Sequence, residues 1–156
     1  MREISISVHF VRSVLKNAVA QGLDPVGLLR KNRIYQRLLL EDNARVSIER
    51  FADLQFNTML AMPDEALGYA TRRMPLGCWS MMCHAVIGCE TLGQALSRFC
   101  RFYQLFEFGI QPHLEESPEA AIIRLQRVED DSEPDPYLSE LVLFNVHRFA
   151  SLLVKE

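Results

Sequence analysis

The segment that decides the fold is CETLGQALSRFCRFYQLF, residues 89–106. Thr91 and Gln94 have the spacing of a capping box, in which the Thr hydroxyl takes the Gln94 backbone N–H and the Gln94 side chain reaches back to the Thr91 N–H. Apolar side chains then recur every three or four residues, as on the buried face of a helix. This face comprises Leu92, Ala95, Leu96, Phe99 and Tyr103. The stretch therefore predicts a helix with one buried face and, through Arg98 and Arg101, one basic face.

Downstream of this helix the hydrophobic period changes from 3.6 to 2. Apolar and polar residues alternate over 106–114, and a second alternating run follows at 120–127. Period-2 alternation on either side of the turn sequence EESPE predicts an antiparallel hairpin, at about residues 105–128. The acidic sequence VEDDSEPDP then ends in Asp135 followed by proline, an N-cap pattern that predicts a C-terminal amphipathic helix.

Upstream, the sequence is mainly helical in pattern. Residues 7–21 place apolar side chains on one face, Asp24 precedes a proline at the start of a short helix, and Ser47 is positioned to cap a third helix. The run 64–74 predicts another short helix. Residues 77–88 are apolar nearly all round, so a buried segment is expected there, helical or extended. Together the segments predict a helix-rich α+β fold in a single domain over residues 1–156.

Composition narrows the class of protein. Of the 156 residues, 49% are hydrophobic and 24% are charged, which is typical of a folded globular chain. The net charge is +3 over residues 1–114 and −6 over 115–156. Neither part is basic enough for phosphate-driven binding, so we expect no direct nucleic-acid contact. No apolar run is long enough to span a membrane and no leader pattern opens the chain, so we expect a cytoplasmic location.

Local motifs do not indicate a catalyst. The four cysteines match no zinc or redox spacing, and we interpret them as reduced core residues. Cys83 and His84 are adjacent, so their side chains point about 100° apart on a helix, and a metal or haem site there would need further ligands. Arg98 and Arg101 share a helix face and have the spacing of a clamp for a carboxylate or phosphate; a solvated basic face is the alternative. No enzymatic activity and no cofactor are expected.

Four motifs taken in order resemble those of a known family. They are GLDPVGLLRKN at 22–32, ARVSIERFADL at 44–54, PDEALGYATRR at 63–73 and ETLGQALSRFCRFYQLF at 90–106. Their order and spacing resemble the amino-terminal effector domain of AraC-type transcription regulators, the branch with an arabinose-binding-type domain. The resemblance covers roughly residues 8–128.

The resemblance implies a regulator's sensing domain that binds a small-molecule effector and has the capacity to form a homodimer. In that family the DNA reader is a carboxyl-terminal pair of helix-turn-helix units, which we do not find in this chain. The effector-binding residues that we predict supply an aromatic wall and polar anchors. They are Trp79, His84, Arg98, Arg101 and Tyr103. Two alternatives stay open: an interaction module that uses the apolar C-terminal helix, and a metal or haem sensor at Cys83 and His84.

Overall fold

The structure, a computed structural model, describes residues 4–127 and 135–154. Over these residues it contains six α-helices and two antiparallel two-stranded sheets, which confirms the predicted α+β class. The chain forms two compact units, Met1–Gly68 and Tyr69–Glu156. The acidic sequence at 128–136 falls mainly on residues outside the described part, and the single domain over 1–156 stays a prediction.

The amino-terminal unit is built mainly from helices. Its elements are β1 (Ser5–Ser7), α1 (Val8–Ala20), α2 (Pro25–Lys31), a short 3-10 helix (Gln36–Leu40), β2 (Arg45–Ser47) and α3 (Ile48–Ala61). Two predicted caps are present: Asp24 and Ser47 each accept a backbone N–H from the first turn of the helix that follows. Ser7, which was not predicted as a cap, does the same for α1. β1 pairs antiparallel with β2, with Ile6 opposite Val46, and this small sheet was not predicted.

The core of this unit forms where α1 packs on α3. The buried residues of α1 are spaced three and four apart, as predicted for its apolar face, so a single stripe faces inward. They are Val8, Val11, Val14, Leu15 and Ala18, and α3 contributes Phe51 and Leu54. Burying these side chains is the main stabilising term for a unit of this size.

The carboxyl-terminal unit is organised around an amphipathic helix. Its elements are α4 (Cys78–Val86), α5 (Leu92–Phe106), β3 (Ile110–Glu116), β4 (Ala121–Arg127) and α6 (Tyr137–Val154). α5 contacts α4, β3 and α6, so its buried face is the centre of the unit. β3 and β4 pair antiparallel, which confirms the predicted hairpin. No helix among the described residues combines the length and apolar character needed to cross a membrane.

The starts of α5 and α6 follow local side-chain chemistry. The Thr91 hydroxyl accepts the Gln94 backbone N–H at 3.2 Å, as predicted. The Gln94 side chain reaches the backbone N–H of Glu90 at 3.2 Å instead of that of Thr91, so the second half of the predicted capping box is wrong by one residue. The Asp135 carboxylate accepts the Tyr137 N–H at 3.0 Å at the start of α6.

The short helix predicted over 64–74 is wrong. The Asp64 carboxylate instead accepts the backbone N–H groups of Ala66 and Gly68, each at 2.9 Å, and thereby takes donors that a helix would use. Leu67 and Gly68 have φ values of +52° and +74°, which right-handed helix excludes. The segment is a series of turns.

The expectation of a buried segment at 77–88 is also wrong. This segment is helical, as α4, but only Met82 and Val86 of that helix are buried. Met81 is 64% exposed, and Ile87, which follows the helix, is 73% exposed. The all-round apolar composition therefore leaves one apolar face of α4 open to solvent.

Candidate functional site

An aromatic cluster forms the interior of the carboxyl-terminal unit beside α4 and α5. Phe99 of α5 is completely buried. Trp79 meets its ring edge-on at 6.5 Å and meets Phe149 of α6 at 6.2 Å. Tyr103 lies one turn along α5, with its ring centroid 4.9 Å from that of Phe99. Trp79, which is half-buried, and Tyr103, which is buried, are both predicted site residues and are thus joined through Phe99.

Arg98 fastens α5 to the end of α4. Its Nη1 donates to the carbonyl oxygen of Ala85 at 3.0 Å. Ala85 lies in the last turn of α4, where carbonyls have no partner within the helix and the helix dipole is negative. The Arg98 guanidinium therefore supplies both a hydrogen-bond donor and a favourable charge to the end of α4. His84 lies next to Ala85 in the same turn.

The five predicted site residues fall into two groups. Trp79 and Tyr103 belong to the aromatic cluster, whereas His84, Arg98 and Arg101 are exposed polar side chains on α4 and α5. Arg101 lies one turn after Arg98 on α5. A guanidinium has five N–H donors, so Arg98 keeps capacity beyond its bond to α4. The clamp formed by Arg98 and Arg101 stays a prediction.

A polar contact that the sequence reasoning missed lies between α5 and β3. Gln104 Nε2 donates to the carbonyl oxygen of Pro112 at 2.8 Å and lies 3.4 Å from His113 Nδ1. The other ring nitrogen, His113 Nε2, is buried and has no hydrogen-bond partner within 4–127 and 135–154. His113 lies in the alternating run 106–114, whose period predicted a strand and named no site residue.

The cysteines do not assemble a metal site in the part of the chain that the structure describes. No group of three or more His, Cys, Asp or Glu side chains there is arranged to hold a metal ion. The four cysteines are free thiols. Burial raises the pKa of the Cys100 thiol to about 11, against a weaker opposing effect of a backbone hydrogen bond, so this thiol is protonated at neutral pH.

A concave surface lies in the amino-terminal unit. It is an open cavity of about 500 Å³ between the end of α2 and the start of α3, lined by Arg30, Arg33, Tyr35 and Arg50 together with aliphatic side chains and a glutamine. The sequence reasoning assigned it no role. The run RKNRIYQR at 30–37, with four basic residues around one tyrosine, was the available signal.

The secondary structure makes the chain a helix-rich α+β protein. The exposed polar side chains predicted for its site lie on α4 and α5, the helices beside the aromatic cluster. Residues 22–156 match the family model described as the arabinose-binding domain of AraC transcription regulators, at the N-terminal end of those proteins. The chain belongs to this family of regulatory ligand-binding domains. The family suggested by the four sequence motifs is therefore confirmed. No curated protein and no solved structure matches the chain.

Proposed function

We propose that this chain is the effector-sensing regulatory domain of an AraC-type transcription regulator, acting in the cytoplasm and without catalysing a reaction. The family match over residues 22–156 carries the proposal. The family description names arabinose, so a sugar is the first effector to test. Sequence-specific DNA contact would then come from outside these 156 residues, in keeping with their net charge of −3.

Regulation by such a domain rests on linkage. A small molecule that binds one conformation more tightly than another shifts the population by its differential affinity, typically worth about 1–3 kcal/mol of coupling. The contact between α4 and α5 is suited to this role because Arg98 joins the two helices by an exposed hydrogen bond to Ala85. A ligand that competes for this guanidinium would change how α4 is held.

We place the effector at this junction of α4 and α5. His84, Arg98 and Arg101 would supply hydrogen bonds and charge, and their exposure leaves them accessible. Trp79 and Tyr103 would support the wall behind them, because both rings are fixed by packing on Phe99. Fixed aromatic walls with a few polar anchors are typical of small-molecule sites.

The site is tested in a full-length regulator that contains this chain. Arg101→Ala should raise the effector concentration for half-maximal response by about tenfold, the usual effect of losing one charge-assisted hydrogen bond. Arg148→Ala removes the same charge from an exposed position on α6 and serves as the matched control. Equal responses of the two variants would remove Arg101 from the site.

A gel-shift experiment tests the proposal that specific DNA contact comes from outside these 156 residues. The 156-residue chain alone should not retard promoter DNA specifically, while a full-length regulator should do so in an effector-dependent way. A specific, salt-sensitive complex formed by the chain alone would show that the chain itself binds DNA and that this proposal is wrong.

A second candidate function, binding to another protein chain, is favoured by α6. Several of its large apolar side chains are exposed: Leu143, Phe144, Leu152 and Val154. Exposed apolar side chains on one helix are typical of interaction surfaces, and a homodimer is the arrangement the family resemblance implies. Light scattering decides between a monomer, which speaks against this function, and a dimer.

A further inference from the structure

We propose that the arginine-lined cavity of the amino-terminal unit binds a small organic anion. The carboxylate or phosphate oxygens of the ligand would be held by Arg30, Arg33 and Arg50, and its apolar part would lie against aliphatic side chains of α2 and the loop that follows it. This site shares no residue with the one proposed on α4 and α5, and it does not depend on the function proposed for them.

The backbone after α2 is shaped to present these arginines. The Arg33 N–H bonds to the Arg30 carbonyl at 3.1 Å and the Ile34 N–H bonds to the Leu29 carbonyl at 3.0 Å, the paired bonds of a Schellman motif. Arg33 occupies its left-handed position, with φ of +56°. Glycine is the usual residue there, so an arginine at this position is uncommon.

The third arginine comes from another element and locks this loop. Arg50, in the first turn of α3, donates from Nη1 to the Arg33 carbonyl oxygen at 3.1 Å. Its other N–H donors remain for a ligand, because a guanidinium carries five. The amino-terminal end of α3, capped by Ser47, adds the positive end of a helix dipole beside this guanidinium.

The positive charge of the cavity is not neutralised by its walls. Within residues 4–127 and 135–154, none of the ion pairs involves Arg30, Arg33 or Arg50. The carboxylates nearest to them in sequence on α3, Glu49 and Asp53, do not line the cavity. Uncompensated guanidinium groups in a concave site attract anions and bind carboxylate or phosphate in bidentate geometry.

The remaining walls favour an organic ligand over an inorganic ion. Leu29 and Ile34 are buried aliphatic side chains, and Val26 lines the same cavity. Tyr35 also lines it and is 66% exposed, with the Arg37 guanidinium 5.6 Å from its ring centroid. A volume of about 500 Å³ suits a metabolite-sized molecule. We therefore expect affinity to need both an anionic group and an apolar body.

Calorimetric titration of the 156-residue chain tests this requirement. Phenyl phosphate and benzoate each combine an anionic group with a ring, and comparing the two distinguishes a phosphate from a carboxylate ligand. Inorganic phosphate and phenol each carry only one of the two features. At least one ring-bearing anion should bind at least about tenfold more tightly than either single-feature probe. Equal binding of all four, or of none, would overturn the proposal.

Substitutions then locate the binding. Arg30→Gln and Arg33→Gln should each weaken binding of the tighter ring-bearing anion by about tenfold. Arg30→Gln tests the contact with the ligand without disturbing the loop, because the Arg30 side chain makes none of the hydrogen bonds that shape the loop. Arg73→Gln, an exposed arginine of the other unit, is the control and should leave affinity within about twofold. Equal loss in all three variants would overturn the site.

A nucleic acid is the competing ligand for a basic surface. A 20-nucleotide single-stranded DNA should bind weakly and without discrimination between Arg30→Gln and Arg73→Gln. Tight DNA binding that falls steeply with salt and is lost selectively in Arg30→Gln and Arg33→Gln would replace the small anion by a phosphate backbone.

Discussion

Asp64 shows how one side chain directs the path of a segment. It is buried, and both of its oxygens accept backbone N–H groups, from Ala66 and Gly68. The same turn is held from α1 by Asn17, whose Nδ2 donates to the Leu67 carbonyl at 3.0 Å. Local side-chain bonds of this kind offer the backbone an alternative to helix, which is why helical spacing in the sequence was misleading here.

Replacing this carboxylate should destabilise the chain. Asp64→Ala leaves two N–H groups without their acceptor, and we expect the free energy of unfolding in urea to fall by about 2–3 kcal/mol. Asp53→Ala, at an exposed position on α3, is the control and should change it by less than about 0.5 kcal/mol. Equal effects would show that the Asp64 bonds contribute nothing to the turn.

Cys100 should be the least reactive thiol. Its burial raises its pKa to about 11, while Cys78, Cys83 and Cys89 are only partly buried. Iodoacetamide at pH 8 should therefore label those three first and reach Cys100 only after denaturation, as mass spectrometry of the peptides will show. Labelling of Cys100 in the native protein at the rate of the others would contradict its packing.

The raised pKa of the Cys100 thiol makes the stability of the folded chain depend on pH. The folded chain holds the Cys100 proton more tightly than the unfolded chain, in which the pKa of this thiol returns to its ordinary value of 9.0. This contribution to stability is complete below pH 9 and is lost as the pH rises towards about 11.

Side-chain hydrogen bonds between residues close together in the sequence were predictable, whereas those between residues far apart in the sequence were not. The Thr91 cap bonds a residue three positions ahead, so spacing alone reveals it. Arg98 reaches Ala85 across 13 positions and Arg50 reaches Arg33 across 17, each between different elements. No periodicity encodes such pairs, and for that reason the arginine-lined cavity escaped the sequence reasoning.

At the scale of elements, the hairpin depends on α5. β3 contacts this helix, and the Gln104 side chain donates to the carbonyl oxygen of Pro112 in the strand. A two-stranded hairpin alone is marginally stable in water, so this attachment to a helix is what makes it persist.

Gln104→Met should loosen that attachment while keeping a side chain of similar length. We expect unfolding free energy to fall by about 1 kcal/mol, and amide exchange in β3 to accelerate. Gln126→Met in β4, an exposed position, is the matched control. If both variants exchange alike, Gln104 does not hold the strand.

Elements with a sustained period were predicted well. α5, α6 and the hairpin repeat their pattern over several turns or residues, so burial of one face is evident from the sequence. The pairing of Ser5–Ser7 with Arg45–Ser47 was missed because strands of three residues show too little alternation, and their partners are far apart in the chain.

At the scale of the whole molecule, the exposed apolar side chains of α6 are the surface that we propose for a second copy. If the exposed apolar side chains of this helix form a dimer, Phe144→Glu should shift the mass measured by light scattering from dimer to monomer, because it places a charge in an apolar interface. Glu140→Gln, a polar exchange on the same helix, should leave the mass unchanged. A dimer that survives Phe144→Glu would place the interface elsewhere.

The central claim is that this chain senses a small molecule, and thermal unfolding of the 156-residue protein with added compounds tests it most directly. A ligand at 100 times its Kd stabilises the folded state by about 2.7 kcal/mol. Arabinose and a panel of sugars, organic acids and amino acids should include at least one compound that raises Tm in a saturable way, with the effect lost in Arg101→Ala and retained in Arg148→Ala. An unchanged Tm with every compound, at concentrations up to those found in cells, would contradict the account.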